Sequence, residues 1–244
     1  MTLDLLLLSS SALHGYRPFE FALDALHDLF GGAQTVHFVP YALADHGGYT
    51  AGVGERLAPL GVSVIGVHAG GDPRAAVEAA EVLFVGGGNS FRLLDALQRH
   101  ALLEPIRRRV QSGELRYLGS SAGTNMACPS LRTTNDMPIV QPRSFAALGL
   151  IPFQINPHYV DPDPATTHMG ETREQRLLEF LEENDVPVLG MREGTWLRRR
   201  DDRLTLGGVT AARLFRRGAE PREYGPGADL SRLLDVPARF DHPA

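Results

Sequence analysis

Nine residues, Leu115-Arg116-Tyr117-Leu118-Gly119-Ser120-Ser121-Ala122-Gly123, compress an apolar run, a sharp reversal and a helix start into one segment. The pattern Gly-x-Ser-x-Gly at 119–123 fits a nucleophile elbow. In such an elbow the chain passes from strand to helix through a strained turn, and glycines permit the close approach. The turn lifts the hydroxyl of Ser121 clear of a sheet. It also leaves the amide of Ala122 at a helix N-terminus, where it can face an oxyanion. A chain built this way needs a sheet with helices packed on it.

The rest of the first half supplies both. Short apolar runs at Leu3–Leu8, Thr35–Val39, Val62–Val67, Val82–Val85 and Arg116–Gly119 read as strands. Helical patterns fall near 17–30, 48–59, 73–80, 90–111 and 122–127. Apolar strands alternating with helices predict an α/β fold, a mostly parallel sheet flanked by helices. Such sheets carry function at the carboxyl ends of their strands. Both glycine-rich turns, Gly86-Gly87-Gly88-Asn89 and Gly119-Ser120-Ser121, occupy such ends. The second half is less regular, with a helix over Glu171–Glu183, a strand at Pro187–Gly190 and a hairpin joining Thr195–Leu197 to Leu204–Leu206. Residues 1–244 read as a single domain without repeats or linkers. Pro226, Pro237 and Pro243 mark 225–244 as a loose tail.

Composition removes several classes of function. All 24 basic residues are arginine, so lysine Schiff bases, a Walker-type phosphate loop and a Ser-Lys dyad are excluded. One cysteine, Cys128, allows neither an intramolecular disulfide nor a cysteine-rich zinc site, and reads as a small buried residue. No His-Glu-x-x-His pattern or clustered His/Asp set points to a metal, and no cofactor is expected. A net charge of −5 gives no footprint for nucleic acid. No run reaches the roughly 18 apolar residues of a membrane helix. The N-terminal Leu-rich run, interrupted by Asp4, reads as a buried strand rather than a signal peptide, and a cytoplasmic location fits.

An activated serine needs a base within hydrogen-bond reach and an acid that orients the base. Of nine histidines, His158 stands out, because it follows an apolar segment and Pro157 stiffens the backbone before it. His14, His27, His46 and His100 fall on helical or loop surfaces. Two residues are candidates for the acid, Asp136 and Glu193, and spacing does not choose between them. The first gives the order Ser, Asp, His and the second Ser, His, Glu. The turn 86–89 lacks the spacing of a dinucleotide loop and reads better as a second oxyanion donor, through the amide of Gly87 or Gly88. Asn89 is a candidate substrate contact.

At these residues the chain resembles the peptidase E family of serine peptidases, the α-aspartyl dipeptidases. The resemblance runs from about Leu5 to about Phe215. It includes Val85-Gly86-Gly87-Gly88-Asn89-Ser90-Phe91, the elbow, Arg132-Thr133-Thr134-Asn135-Asp136-Met137-Pro138-Ile139-Val140, Ile155-Asn156-Pro157-His158 and Gly170-Glu171-Thr172-Arg173-Glu174-Gln175-Arg176. It implies a fold like the class I glutamine amidotransferases with serine in place of their cysteine, and hydrolysis of dipeptides with N-terminal aspartate. Ser121 then matches the nucleophile, His158 the base, Asp136 the usually assigned acid and Glu193 an alternative acid. Arg173 matches an arginine that binds the aspartyl carboxylate. Ser120 stands where the family carries a bulky aromatic, and Pro162 and Pro164 are additions. The rival readings are a cyanophycinase-like peptidase acting on β-aspartyl-arginine and a non-catalytic binding protein of the same fold. The resemblance also makes a homodimer an expectation.

Overall fold

The computed structural model describes residues 2–165, 167 and 169–241. The first half lays down β1 (Asp4–Leu8), α1 (Leu23–Phe30), β2 (Thr35–Val39), α2 (His46–Leu57), β3 (Ser63–Gly66), α3 (Pro73–Ala79), β4 (Val82–Val85), α4 (Ser90–Arg99), α5 (Leu103–Gln111), β5 (Arg116–Ser120) and α6 (Ala122–Ala127). The second half adds β6 (Gln154–Pro157), α7 (Arg173–Glu182), β7 (Asn184–Asp185), β8 (Val188–Met191), β9 (Thr195–Arg200), β10 (Arg203–Gly208), β11 (Ala212–Arg216), β12 (Ala219–Tyr224) and β13 (Arg239–Phe240).

The main sheet has the order β10-β9-β1-β5-β4-β2-β3. Its five first-half strands are parallel, and β9 runs antiparallel to β1, with β10 antiparallel to β9. In β1 the side chains divide by alternation: Leu5 and Leu7 enter one core cluster, Leu6 and Leu8 the other. Burial on both faces explains why β1, β4 and β5 read as continuous apolar runs rather than alternating ones. The neighbours β1, β5 and β4 end at one level, with Leu8 opposite Ser120 and Val85 opposite Gly119. The chain therefore leaves three adjacent strands at one edge, the place where open parallel sheets carry ligands.

The expected helix over 90–111 is two helices. Ala101 takes a left-handed φ of 54°, and the amide of Leu102 donates to the carbonyl of Leu97. Burial of Leu102 anchors the break. No glycine marks it, so the sequence carried no signal.

A second sheet, β12-β11-β8-β6, lies beyond the sequence expectations. Here β6 and β8 are parallel, with Pro157 opposite Met191. Residues 158 and 192 thus leave the same end of adjacent strands. The larger core cluster joins the two sheets, running from Leu5, Leu7 and Val85 to Leu189, Met191 and Leu214.

Of the tail expected to be loose, 225–244, residues 242–244 lie outside the described residues, and 225–241 are held in place. The amide of Leu206 donates to Ala228, and that of Leu230 to Leu204. Leu230 and Leu233 are buried, and β13 pairs with β7. Apolar anchors spaced between the prolines hold this segment down. Among the described residues no helix is long and apolar enough to cross a membrane.

Candidate active site

The elbow forms between β5 and α6. Ser121 adopts φ 52° and ψ −110°, a conformation a residue with a β-carbon rarely takes. The glycines on either side are needed for packing as much as for flexibility. A β-carbon on Gly119 would lie 2.7 Å from the carbonyl oxygen of Gly123, and one on Gly123 would lie 2.0 Å from that of Val85. Backbone-to-backbone packing of α6 against β4 and β5 therefore holds the strained residue in place.

The turn after β4 lies beside it. A β-carbon on Gly87 would sit 3.1 Å from the β-carbon of Ser121, and Gly88 has φ 128°. Among the described residues, no backbone acceptor takes the amides of Gly87, Gly88 or Ala122. Tyr49 on α2 donates its hydroxyl to the Gly87 carbonyl at 3.1 Å. In a trans peptide the carbonyl and the next N–H point in opposite directions, so this bond turns the Gly88 amide away from Tyr49. Sequence reasoning missed Tyr49, since an aromatic on a helix reads as core.

His158 follows β6 with φ 53°. Its Nε2 lies 2.9 Å from Oγ of Ser121 and its Nδ1 lies 2.8 Å from Oε1 of Glu193. Glu193 occupies the turn between β8 and β9, where the Thr210 hydroxyl donates to its carbonyl at 2.6 Å. The parallel pairing of β6 and β8 brings His158 and Glu193 together.

Of the two candidate carboxylates, only Glu193 reaches the imidazole. Asp136 is engaged elsewhere: Oδ2 accepts from the Ser90 amide at 2.7 Å, the Ser90 hydroxyl at 2.6 Å and the Thr134 hydroxyl at 3.2 Å. It fastens its loop to the start of α4.

Asn89 is likewise committed to structure. Its side-chain oxygen caps α4 through the Arg92 amide at 3.0 Å, and its amide group donates to the Met137 carbonyl at 2.8 Å.

Arg173 opens α7 behind a Thr172–Gln175 capping box. It is half-buried, and its guanidinium makes no hydrogen bond or ion pair among the described residues. Partial burial lowers its pKa from the ordinary arginine value, Arg176 lowers it further, and the carboxylate of Asp136 acts the other way. An unpaired, partly desolvated arginine is a ready partner for an incoming carboxylate.

Ser121, His158, Glu193, Gly87 and Gly88 line an open cleft of about 520 Å³, walled further by Leu13, His14, Leu43 and Tyr49. The arrangement presents a nucleophile on a base, a carboxylate behind the base and unclaimed backbone donors beside the nucleophile. Among the described residues no group of histidine, cysteine or acidic side chains could hold a metal ion.

Residues 5–207 match the family described as peptidase family S51. The chain is 62% identical over 239 residues to a Streptomyces coelicolor protein named peptidase E, covering 98% of each chain. It is 51% identical over 233 residues to a Drosophila melanogaster protein named probable alpha-aspartyl dipeptidase, covering 95% of this chain and 97% of that one. Its fold is shared with the crystal structure of a putative peptidase E protein from Listeria monocytogenes, at a TM-score of 0.65 and 22% identity, over 86% of this chain and 100% of that one.

Proposed function

The chain belongs to peptidase family S51, and from that premise we propose that it is a serine dipeptidase that releases N-terminal aspartate from dipeptides through an acyl-enzyme. The observation that carries the mechanism is the unbroken line from Ser121 through His158 to Glu193, at 2.9 and 2.8 Å. His158 takes the proton of the Ser121 hydroxyl as the oxygen attacks the aspartyl carbonyl. The tetrahedral oxyanion is held by the amides of Ala122 and of Gly87 or Gly88, donors fixed before charge develops. His158 passes its proton to the departing amine, the C–N bond breaks, and the aspartyl group remains on Ser121. Water, deprotonated by the same imidazole, then releases aspartate and restores the hydroxyl. Glu193 accepts from Nδ1–H throughout, holding the ring and stabilising its positive form.

Arg173 gives the specificity. Its planar fork matches the β-carboxylate of the substrate's aspartate, and no protein carboxylate among the described residues occupies it. An asparagine in that position would leave the arginine unpaired.

The test is hydrolysis of Asp-Leu, Glu-Leu, Asn-Leu and β-Asp-Leu by the wild type and by Ser121→Ala. Cleavage confined to Asp-Leu and lost in the variant is expected. Normal turnover by Ser121→Ala, or equal cleavage of Asn-Leu, overturns the mechanism or the specificity respectively.

A further inference from the structure

Three backbone segments of the site converge on two consecutive residues at the end of β1. The carbonyl of Leu8 accepts from the amide of Ser121 at 3.1 Å and from the hydroxyl of Thr124 at 2.6 Å. The next residue, Ser9, is completely buried. Its hydroxyl accepts from the amide of His158 at 3.0 Å and donates to the carbonyl of Met191 at 2.8 Å. Its own amide donates to the carbonyl of Thr195 at 3.1 Å. Met191 and Thr195 bracket Glu193 by two residues on each side. The Met191 carbonyl also accepts from the amide of Tyr159 at 3.0 Å.

Ser121 belongs to the main sheet, whereas His158 belongs to the second. The ladder bonds within either sheet leave the separation of these two residues undetermined. His158 also sits at a φ of 53°, a left-handed backbone that a residue with a β-carbon keeps only when its surroundings impose it. The Ser9 hydroxyl bonds to the amide of that very residue. It is the right size to serve as acceptor and donor at once in a position closed to solvent. Alanine offers neither function, and a cysteine thiol offers both only weakly.

We propose that Ser9 is a positioning residue. Its buried hydroxyl bridges the end of β1 to the His158 backbone and to the strand before Glu193, and so holds Nε2 within reach of Ser121. The inference rests on the serine-peptidase reading above.

Ser9→Ala is compared with wild type and with Ser231→Ala. Ser231 has a hydroxyl that also joins one donor to one acceptor, between Leu204 and Asp229, at the opposite end of the main sheet. The readouts are kcat, KM for Asp-Leu, the rate of Ser121 labelling by a fluorophosphonate, and Tm. Misplacement of a catalytic group by about 1 Å costs on the order of 100-fold. For Ser9→Ala the expected result is a kcat lowered about 10- to 100-fold, KM within about twofold, and labelling slowed by the same factor as kcat. Ser231→Ala keeps wild-type kcat whatever its Tm. Wild-type kcat in Ser9→Ala, or equal losses in both variants, overturns the proposal. If Ser9→Ala does not fold, Ser9→Cys is read instead: slowed labelling supports the role and wild-type labelling removes it. Labelling needs no dipeptide, so it reports on Ser9 even if Asp-Leu proves the wrong substrate.

Discussion

Oε1 of Glu193 lies 2.8 Å from Nδ1 of His158, whereas the Asp136 carboxylate is bound to the amide and hydroxyl of Ser90. Replacing an orienting acid by its amide leaves the ring in place with the wrong tautomer preference. Glu193→Gln is therefore expected to lower kcat for Asp-Leu by about 100- to 1,000-fold with little change in KM. Asp136→Asn keeps an oxygen that can accept from Ser90, so its kcat is expected to stay within about tenfold of wild type. Steady-state kinetics of the two variants decide the assignment, and the reverse ranking would return the role to Asp136.

Arg173 is a partly buried cation with no bonded partner among the described residues, and the Asp136 carboxylate opposes the effect of its burial. Hydrogen bonds to charged groups contribute roughly 1.5–3 kcal/mol each, about 10- to 100-fold in binding. Arg173→Met is expected to raise KM for Asp-Leu by that factor and to shrink the preference for Asp-Leu over Asn-Leu. Arg173→Lys keeps the charge without the fork and is expected to fall between. A changed kcat with unchanged selectivity would remove Arg173 from recognition of the substrate's aspartate.

The segment just past His158 is secured by Arg192. Its guanidinium meets both oxygens of Asp161, at 2.7 and 2.6 Å, and both oxygens of Glu223, at 2.9 Å each. The hydrogen bond from Arg192 holds the Asp161 carboxyl below the usual carboxylate value. A carboxyl depressed in the folded state stabilises above its unfolded pKa, and that stability disappears as pH falls through the folded value. Asp161→Asn is expected to melt lower than wild type near neutral pH and to lose less Tm between about pH 5 and about pH 2.5. Half of the Asp161 side chain is exposed, so the difference shrinks in high salt. Parallel melting curves across that range would show that the clamp contributes nothing to acid stability.

Much of this was legible in the sequence. The apolar runs of β1, β2, β4 and β5 coincide with the strands to within a residue or so, because strands buried on both faces need no alternation to be recognised. The elbow and His158 were visible as local patterns. The choice between Asp136 and Glu193 was not, because Glu193 meets His158 through the β6–β8 register, a long-range pairing that spacing cannot express. The capping of α4 by Asn89 is local, since an asparagine directly before a helix is a capping signal. Ser9 lies in Ser9-Ser10-Ser11, which reads as an ordinary turn. Its consequence emerges only once two sheets meet around it.

Cys128 closes α6 and is fully buried. Burial pushes its thiol up to about 12, so almost none is thiolate near neutral pH. Its sulfur accepts from the amide of Ile155 at 3.3 Å, a packing role against β6. Thiol reagents are expected to leave the native enzyme active and to titrate one group only after unfolding. Inactivation by iodoacetamide at the rate of a free thiol would mean that α6 opens readily.

The elbow glycines give the sharpest test of the fold itself. A β-carbon at Gly123 would lie 2.0 Å from the Val85 carbonyl oxygen and 2.7 Å from its carbon, both backbone atoms of a central strand. Neither side can swing aside as a flexible side chain would. Accommodating alanine requires α6 to lift from β4, and that movement carries Ser121 and the Ala122 amide away from the Gly87 turn. At Gly32, by contrast, nothing lies within 4 Å of an added β-carbon, and only the left-handed φ of 85° opposes substitution. Gly32→Ala is expected to cost roughly 1 kcal/mol or slightly more, with kcat unchanged. Gly123→Ala is expected to cost at least about 3 kcal/mol and to lose kcat well before it loses the folded state, because elbow geometry fails first. Denaturant titration alongside activity at low denaturant separates the two. A Gly123→Ala enzyme with wild-type kcat and stability would mean that α6 is not held against β4 by backbone contact.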